Sequence, residues 1–254
     1  MTDTLGWRRT IAILTTSMNS VVQPELEAMR PPGVTNHIYR MRLPDMAIRP
    51  AAGEQGGFAE IVHHVGAGLD DAVREALTCR PDHLLLAVSI ESVWGGGLAA
   101  GRRIAERVGA IAGAEMPLTQ AGAALQAALG KFGARRVGLL TPYSADAEAE
   151  AANFLREIGL DVTRIANLRA GRPSEIAGLP AASIRAAVRD LAQPDVDVIV
   201  QFGGNLPMAA IAAEAERWLE RPVIATNTAC YWHALRTGGI ADRVMGQGRL
   251  LEEF

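Results

Sequence analysis

Met116-Pro117-Leu118-Thr119, followed by Ala124-Leu125 and Gly133, has a counterpart later in the chain: Arg221-Pro222-Val223-Ile224-Ala225-Thr226, followed by Ala234-Leu235 and Gly239. Pro117 and Pro222 stand 105 residues apart, close to half of the 254-residue chain. Two further pairs recur in the same order. Ile11-Ala12-Ile13-Leu14-Thr15 corresponds to Val137-Gly138-Leu139-Leu140-Thr141, and Leu84–Ser89 with its Gly-rich turn corresponds to Val196–Gly204. Self-similarity at half the chain length marks a duplicated architecture.

Around these pairs, short apolar runs alternate with Ala-rich segments. Thr10–Thr15, His83–Ser89, Arg136–Thr141, Asp195–Phe202 and Pro222–Thr226 have strand length and end in turn-forming residues or at the start of a loop. Between them, Gly122–Phe132, Ala145–Ile158 and Pro207–Leu219 carry apolar positions at helical spacing and are dense in good helix formers. A further helix is expected over Phe58–Leu77. Strands alternating with helices imply parallel βαβ units, so the expected fold class is α/β. Continuous apolar stretches such as Leu84-Leu85-Leu86-Ala87-Val88 suit strands buried on both faces. The expected architecture is two pseudo-symmetric, doubly wound parallel-sheet halves, residues 8–118 with 226–254 and residues 119–225. The carboxyl ends of both sheets then face one cleft, where open parallel sheets bind ligands.

Composition narrows the function. At about 150 residues per domain the length allows one large or two small domains. Basic residues number 25 against 28 acidic ones, a net charge of −3, which argues against a dedicated nucleic-acid binder. The two cysteines, Cys79 and Cys230, form neither a disulfide framework nor a metal cluster and fit a reducing compartment. No stretch has the ~18 consecutive apolar residues of a membrane span, and Met1–Thr10 lacks a signal-peptide pattern. A soluble cytoplasmic protein is expected, with no nucleic-acid or membrane partner.

Four stretches at the strand ends carry a resemblance. They are Thr16-Ser17-Met18-Asn19-Ser20-Val21-Val22-Gln23-Pro24-Glu25, then Leu140-Thr141-Pro142-Tyr143, then Gln201-Phe202-Gly203-Gly204, and Thr226-Asn227-Thr228-Ala229-Cys230-Tyr231-Trp232-His233-Ala234-Leu235-Arg236. The chain resembles the aspartate/glutamate racemase superfamily, in the branch of maleate cis-trans isomerase and arylmalonate decarboxylase. The match runs from about Thr10 to Gly239. The resemblance implies an active site between two halves, no metal or organic cofactor, a small (di)carboxylic acid as substrate, and a homo-oligomer. It also implies that Asn19 and Tyr143 hold a substrate carboxylate, and that two cysteines, one from each half, face the substrate.

The chain departs from that pattern where the cysteines belong. Val88-Ser89 follows the first strand end, Phe202 stands before Gly203-Gly204 in the second, and Pro173 falls at or near an Asn that many isomerases carry. A thiol can serve as nucleophile or as proton donor to a carbanion; Val and Phe can do neither. Candidate catalytic residues are therefore Ser89, Glu91 and Tyr143. Candidate substrate-binding residues are Ser17, Asn19, Thr141, Phe202, Gly203, Gly204 and Asn227. Each has a structural alternative: Asn19 as a helix N-cap, Glu91 as a first-turn helix acid, Tyr143 as a packed ring. Phe202, Val88, Val93 and Trp94 would line an apolar pocket. His63-His64 points in two directions on its helix and makes a poor metal site. Gly95-Gly96-Gly97 with Gly101 lacks dinucleotide spacing.

The expected function is a cofactor-independent lyase of decarboxylase type. The alternatives are an isomerase or racemase using a displaced residue such as Cys230, and a non-catalytic binder of small acids.

Overall fold

The computed structural model describes residues 4–50 and 56–254. Met1–Asp3, part of the N-terminal stretch considered above, lie outside the described residues. Among the described residues, eight strands form two parallel sheets of four. The first contains β1 (Arg9–Thr16), β2 (Val34–Met41), β3 (His83–Leu86) and β4 (Leu118–Gln120), in the order β2-β1-β3-β4. The second contains β5 (Arg136–Thr141), β6 (Asp161–Asn167), β7 (Val198–Gln201) and β8 (Val223–Ala225), in the order β6-β5-β7-β8. The helices are α1 (Val22–Ala28), α2 (Phe58–Leu77), α3 (Gly97–Ala112), α4 (Ala121–Phe132), α5 (Ala145–Glu157), α6 (Ala181–Leu191), α7 (Ala209–Leu219), α8 (Thr226–Thr237) and α9 (Arg249–Glu253). No helix among the described residues is long and apolar enough to cross a membrane.

The repeat holds down to single hydrogen bonds. Ala87 N–H donates to Leu14 O at 2.8 Å, and Phe202 N–H donates to Leu140 O at 2.9 Å. Leu84 N–H donates to Pro117 O at 2.9 Å, and Ile199 N–H to Pro222 O at 3.0 Å. The Asp82 carboxylate accepts from Thr10 N–H at 2.8 Å, and that of Asp197 accepts from Arg136 N–H at 2.8 Å. Pro at each of the paired positions donates nothing, so it ends one strand approach while its carbonyl still serves the neighbouring strand.

Buried central strands match the apolar runs. β3 stops short of the run His83–Ser89 because its last residues leave the sheet to build a loop, whereas β7 lacks Asp195–Asp197 at its amino end and only Phe202 at its carboxyl end. The edge strands β2 and β6 are half-exposed and carry polar residues, which is why no apolar run announces them. The boundary expected between 118 and 119 falls inside β4, whose residues 118–120 pair with β3. After β8 the chain returns to the first half: α8 packs against α4, α1, β3 and β4. The helices that follow the twin strands β4 and β8 thus lie on each other, the contact a local two-fold axis produces.

Candidate active site

The carboxyl ends of β1, β3, β5 and β7 converge on a cavity of about 50 Å³ between the halves. Its lining combines the polar Thr16, Asn19, Ser89, Glu91, Tyr143 and Asn205 with the apolar Leu43, Phe58, Ile61, Val88 and Ile176.

Asn19 is a helix N-cap that also lines the cavity. Its Oδ1 accepts from Val21 N–H (3.0 Å) and Val22 N–H (2.9 Å), capping the start of α1. Its Nδ2 has no partner among the described residues and belongs to a side chain lining the cavity. The cap thus orients two amide donors toward the cleft.

After β3 the chain enters a single 3₁₀ turn, Ile90–Ser92. Ser92 Oγ donates to Ser89 O (2.7 Å) and accepts from Gly122 N–H (3.1 Å), fixing the turn against α4. Ser89 Oγ lies 2.8 Å from Tyr143 OH and 3.4 Å from Gly204 N, so one hydroxyl gathers three strand ends. The Tyr143 ring meets Phe58 edge-on, with centroids 4.7 Å apart. Asn205 spans three segments: its Oδ1 accepts from Ser20 N–H (3.1 Å) and its Nδ2 donates to Pro173 O (2.9 Å). Above the apolar side, loops of the two halves join. Ile48 N–H donates to Gly171 O (2.8 Å), and Ser174 Oγ donates to Asp45 Oδ1 (2.8 Å).

Burial raises the Glu91 carboxyl to about 7, partly offset by the N–H groups of Glu91 and Ser89. No counter-ion pairs with it among the described residues. Tyr143 is pushed well above the usual phenol range by burial first and by nearby Glu91 second, eased by the Ser89 hydrogen bond. Tyr143 is therefore a neutral hydrogen-bonding group, and Glu91 is the one that changes charge near neutrality.

The other expected residues lie outside the cavity lining. Ser17 is exposed, its Oγ accepting from Leu43 N–H at 3.1 Å. Phe202 is fully buried against Phe154, with centroids 6.2 Å apart, and Gly203 folds over Pro142 beside it. Thr141 is buried and its Oγ1 unpartnered. Asn227 Nδ2 donates to Glu25 Oε2 (2.7 Å) and Gly204 O (3.0 Å), while Glu25 Oε1 accepts from Ala209 N–H (2.8 Å). Glu25 and Asn227 thereby tie α1 and α8 to the start of α7 behind the cavity. Val93 and Trp94, expected in the apolar wall, are absent from this lining; Leu43, Phe58, Ile61 and Ile176 take that place. Asn205 was within reach of the sequence, one residue past Gly203-Gly204. The apolar residues come from distant segments with no local signal.

Three other features have structural explanations. Cys230 is 1% exposed and burial pushes its thiol up to about 12, which removes support for a displaced thiolate. At the glycine turn, Gly95 N–H donates to Glu150 Oε2 (3.0 Å) and Leu98 N–H to Glu157 Oε2 (2.9 Å). Glycine suits position 97 because its φ is +52°, in the left-handed region, and a Cβ there would displace the Glu157 carboxylate. With carboxylates already on these amides, the turn is no phosphate cradle. His63 and His64 join no group of three or more metal-ligating side chains among the described residues.

The sequence model of the arylmalonate decarboxylase family matches residues 96–251, more than half of the chain. The chain belongs to the arylmalonate decarboxylase family. Its curated relatives are enzymes. A maleate isomerase of Nocardia farcinica is 26% identical over 255 aligned residues, covering 98% of this chain and 97% of that protein. An arylmalonate decarboxylase of Bordetella bronchiseptica is 35% identical over 142 residues, covering 54% of this chain and 59% of that one. Among solved structures, a cysteine-to-serine variant of the Nocardia isomerase superposes with a TM-score of 0.85 at 25% identity, covering 97% of this chain and 99% of that one. That relative carries a covalently bound succinylcysteine intermediate. This member of the arylmalonate decarboxylase family has Ala87-Val88-Ser89 and Phe202-Gly203-Gly204 at its two central strand ends, with a thiol at neither.

Proposed function

We propose that the protein is a cofactor-independent lyase of decarboxylase type, acting on a small (di)carboxylic acid with Glu91 as its proton donor. One observation carries the reading: an unpaired carboxyl, raised by burial to about 7, borders a cavity that also presents free amide donors and an apolar side. The Asn19 amide and the Ser89–Tyr143 hydroxyl pair hold one substrate carboxylate. The second carboxylate rests against Leu43, Phe58, Ile61 and Ile176, where lost hydration favours its departure as neutral carbon dioxide. As that carbon–carbon bond breaks, its electron pair delocalises into the retained carboxylate under the fixed donors. Glu91 then gives its proton to the carbon and is left as carboxylate. Ser17, Thr141, Phe202, Gly203 and Asn227 act indirectly, by shaping the wall; the backbone N–H of Gly204 assists at the cavity itself.

A cytoplasmic location and self-association of identical copies belong to the same reading, the first supported by two free thiols, the second by the family resemblance. So does the division into 8–118 with 226–254 and 119–225; the β4 pairing supports moving its first boundary past Gln120.

A second reading, a non-catalytic small-acid binder, is favoured by the missing thiols alone. Proton NMR in deuterated buffer distinguishes the two, with protein mixed separately with maleate, substituted malonates, aspartate, glutamate and hydroxy-diacids. Loss of a carboxyl group with deuterium at the adjacent carbon is expected. Silence across the panel with a diacid-induced rise in Tm would favour the binder. Cis–trans conversion, or α-proton exchange without carboxyl loss, would return the reaction to isomerase or racemase chemistry.

A further inference from the structure

Beyond the active-site cavity, a second and larger chamber of about 260 Å³ lies between α2 and α3. The two cavities share two residues, Val88 and Glu91. Most of the chamber is apolar, including Val62, Val65, Leu69 and Ile104, but Arg103 and Arg107 also line it. Arg103 Nη2 donates to Gly95 O at 3.0 Å, and Arg107 Nε donates to Asp70 Oδ1 at 2.5 Å.

We infer that the α2–α3 chamber is the route by which Glu91 regains its proton from solvent, separate from the path by which substrate reaches the active-site cavity. The inference rests on Glu91 being the proton donor proposed above. The two volumes support this division of labour. Glu91 borders both spaces, so a diacid seated in the smaller one leaves its carboxyl in contact with the larger. The 260 Å³ chamber has room for several waters at roughly 30 Å³ each. Glu91, Arg103 and Arg107 supply the polar partners such waters need. The balance is simple: Glu91 O–H protonates the substrate carbon, and a chamber water then protonates the Glu91 carboxylate and leaves as hydroxide to bulk solvent. The charged or titratable groups around this path are Arg103 and Arg107 of α3, Asp70 of α2 held by Arg107, Glu150 of α5 at the glycine turn, and Tyr143 on the cavity side.

Gly66 offers a way to close the chamber without touching the active site. It lines the chamber, sits inside α2, and a Cβ there would meet nothing within 4 Å. Gly66→Leu fills the space and raises helix propensity; Val62→Phe fills it from the same helix and serves if the first variant folds poorly. The activity-independent test follows the carboxylic C=O band of Glu91 by infrared titration, assigned by its loss in Glu91→Gln, with and without saturating malonate. Loss of chamber water is expected to raise the Glu91 midpoint by one pH unit or more in the filled variants. On any diacid that is turned over, kcat should fall tenfold or more with KM unchanged. An unchanged midpoint in both variants would overturn the route and leave the proposed function standing. An inactive parent protein would count against the proposed function, while the infrared titration would still decide the route.

Discussion

Ala87 and Phe202 occupy the same place in the two halves, each donating its N–H to the strand beside it at almost the same distance, 2.8 and 2.9 Å. Their side chains do opposite things. Ala87 borders the cavity, whereas Phe202 turns into the core of the second half and is fully buried. Four residues further on, the first half presents Glu91 to the cavity; four residues past Phe202 stands Leu206, fully buried. Duplication therefore fixes where strands end, and side chains decide what each half presents to the cavity. Here the first half supplies Asn19, Ser89 and Glu91, and the second supplies Tyr143, a backbone amide and packing.

The largest expected effect tests that asymmetry at Glu91. Glu91→Gln should lower kcat by about 10²–10⁴, the range for loss of a general acid. The same change should raise stability by an amount that depends on pH. The folded state holds the Glu91 proton up to about 7, while the unfolded chain releases it near 4.5, so this residue costs stability progressively between those values and fully above 7. The variant should gain about 3 kcal/mol at pH 8 and nothing at pH 4, read from urea unfolding at both. Activity of the parent should decline as pH rises through 7, because the donor loses its proton.

Next comes Phe202→Ala, expected to cost ~3–5 kcal/mol by leaving a void beside Phe154, measured as a shift in urea midpoint. Ala87→Gly at the twin position should cost about 1 kcal/mol or less, since only a methyl at the cavity wall is lost. A smaller effect is expected for Tyr143→Phe, about tenfold in turnover and ~1 kcal/mol in stability, as Ser89 loses its 2.8 Å partner. Smallest is the pair Asp82→Ala and Asp197→Ala, about 1 kcal/mol for the cap they share, with Asp197→Ala the costlier because its carboxylate also accepts from Arg135 N–H (3.1 Å) and Arg136 Nη2 (2.6 Å). Equal losses in urea unfolding would show that those extra bonds contribute nothing and that the duplication is energetic as well as geometric.

Much of the fold was legible before any coordinate. Apolar runs marked the central strands because those strands are buried on both faces, and the twin prolines marked the repeat. β2 and β6 escaped because an edge strand half open to water needs no apolar run. Of the expected site residues, those that line the cavity (Asn19, Ser89, Glu91, Tyr143 and Gly204) lie at strand ends or in the turns just beyond them. Thr141, Phe202 and Gly203 lie at strand ends too, but the direction of each side chain there is a packing outcome. Phe202 found a better partner in Phe154 than in the cleft.

By itself, then, the amino-acid sequence determined the α/β class, the two-fold plan and the absence of thiols at the paired strand ends, because periodicity and residue identity are local properties. Tertiary structure alone decided the apolar side of the cavity and the raised proton affinity of Glu91. Leu43 and the α2 residues Phe58 and Ile61 come from the first half and Ile176 from the second, so the four line one cavity only in the folded chain. Partial loss of hydration then falls on a carboxyl group that, by composition, is one of 28 ordinary acidic residues.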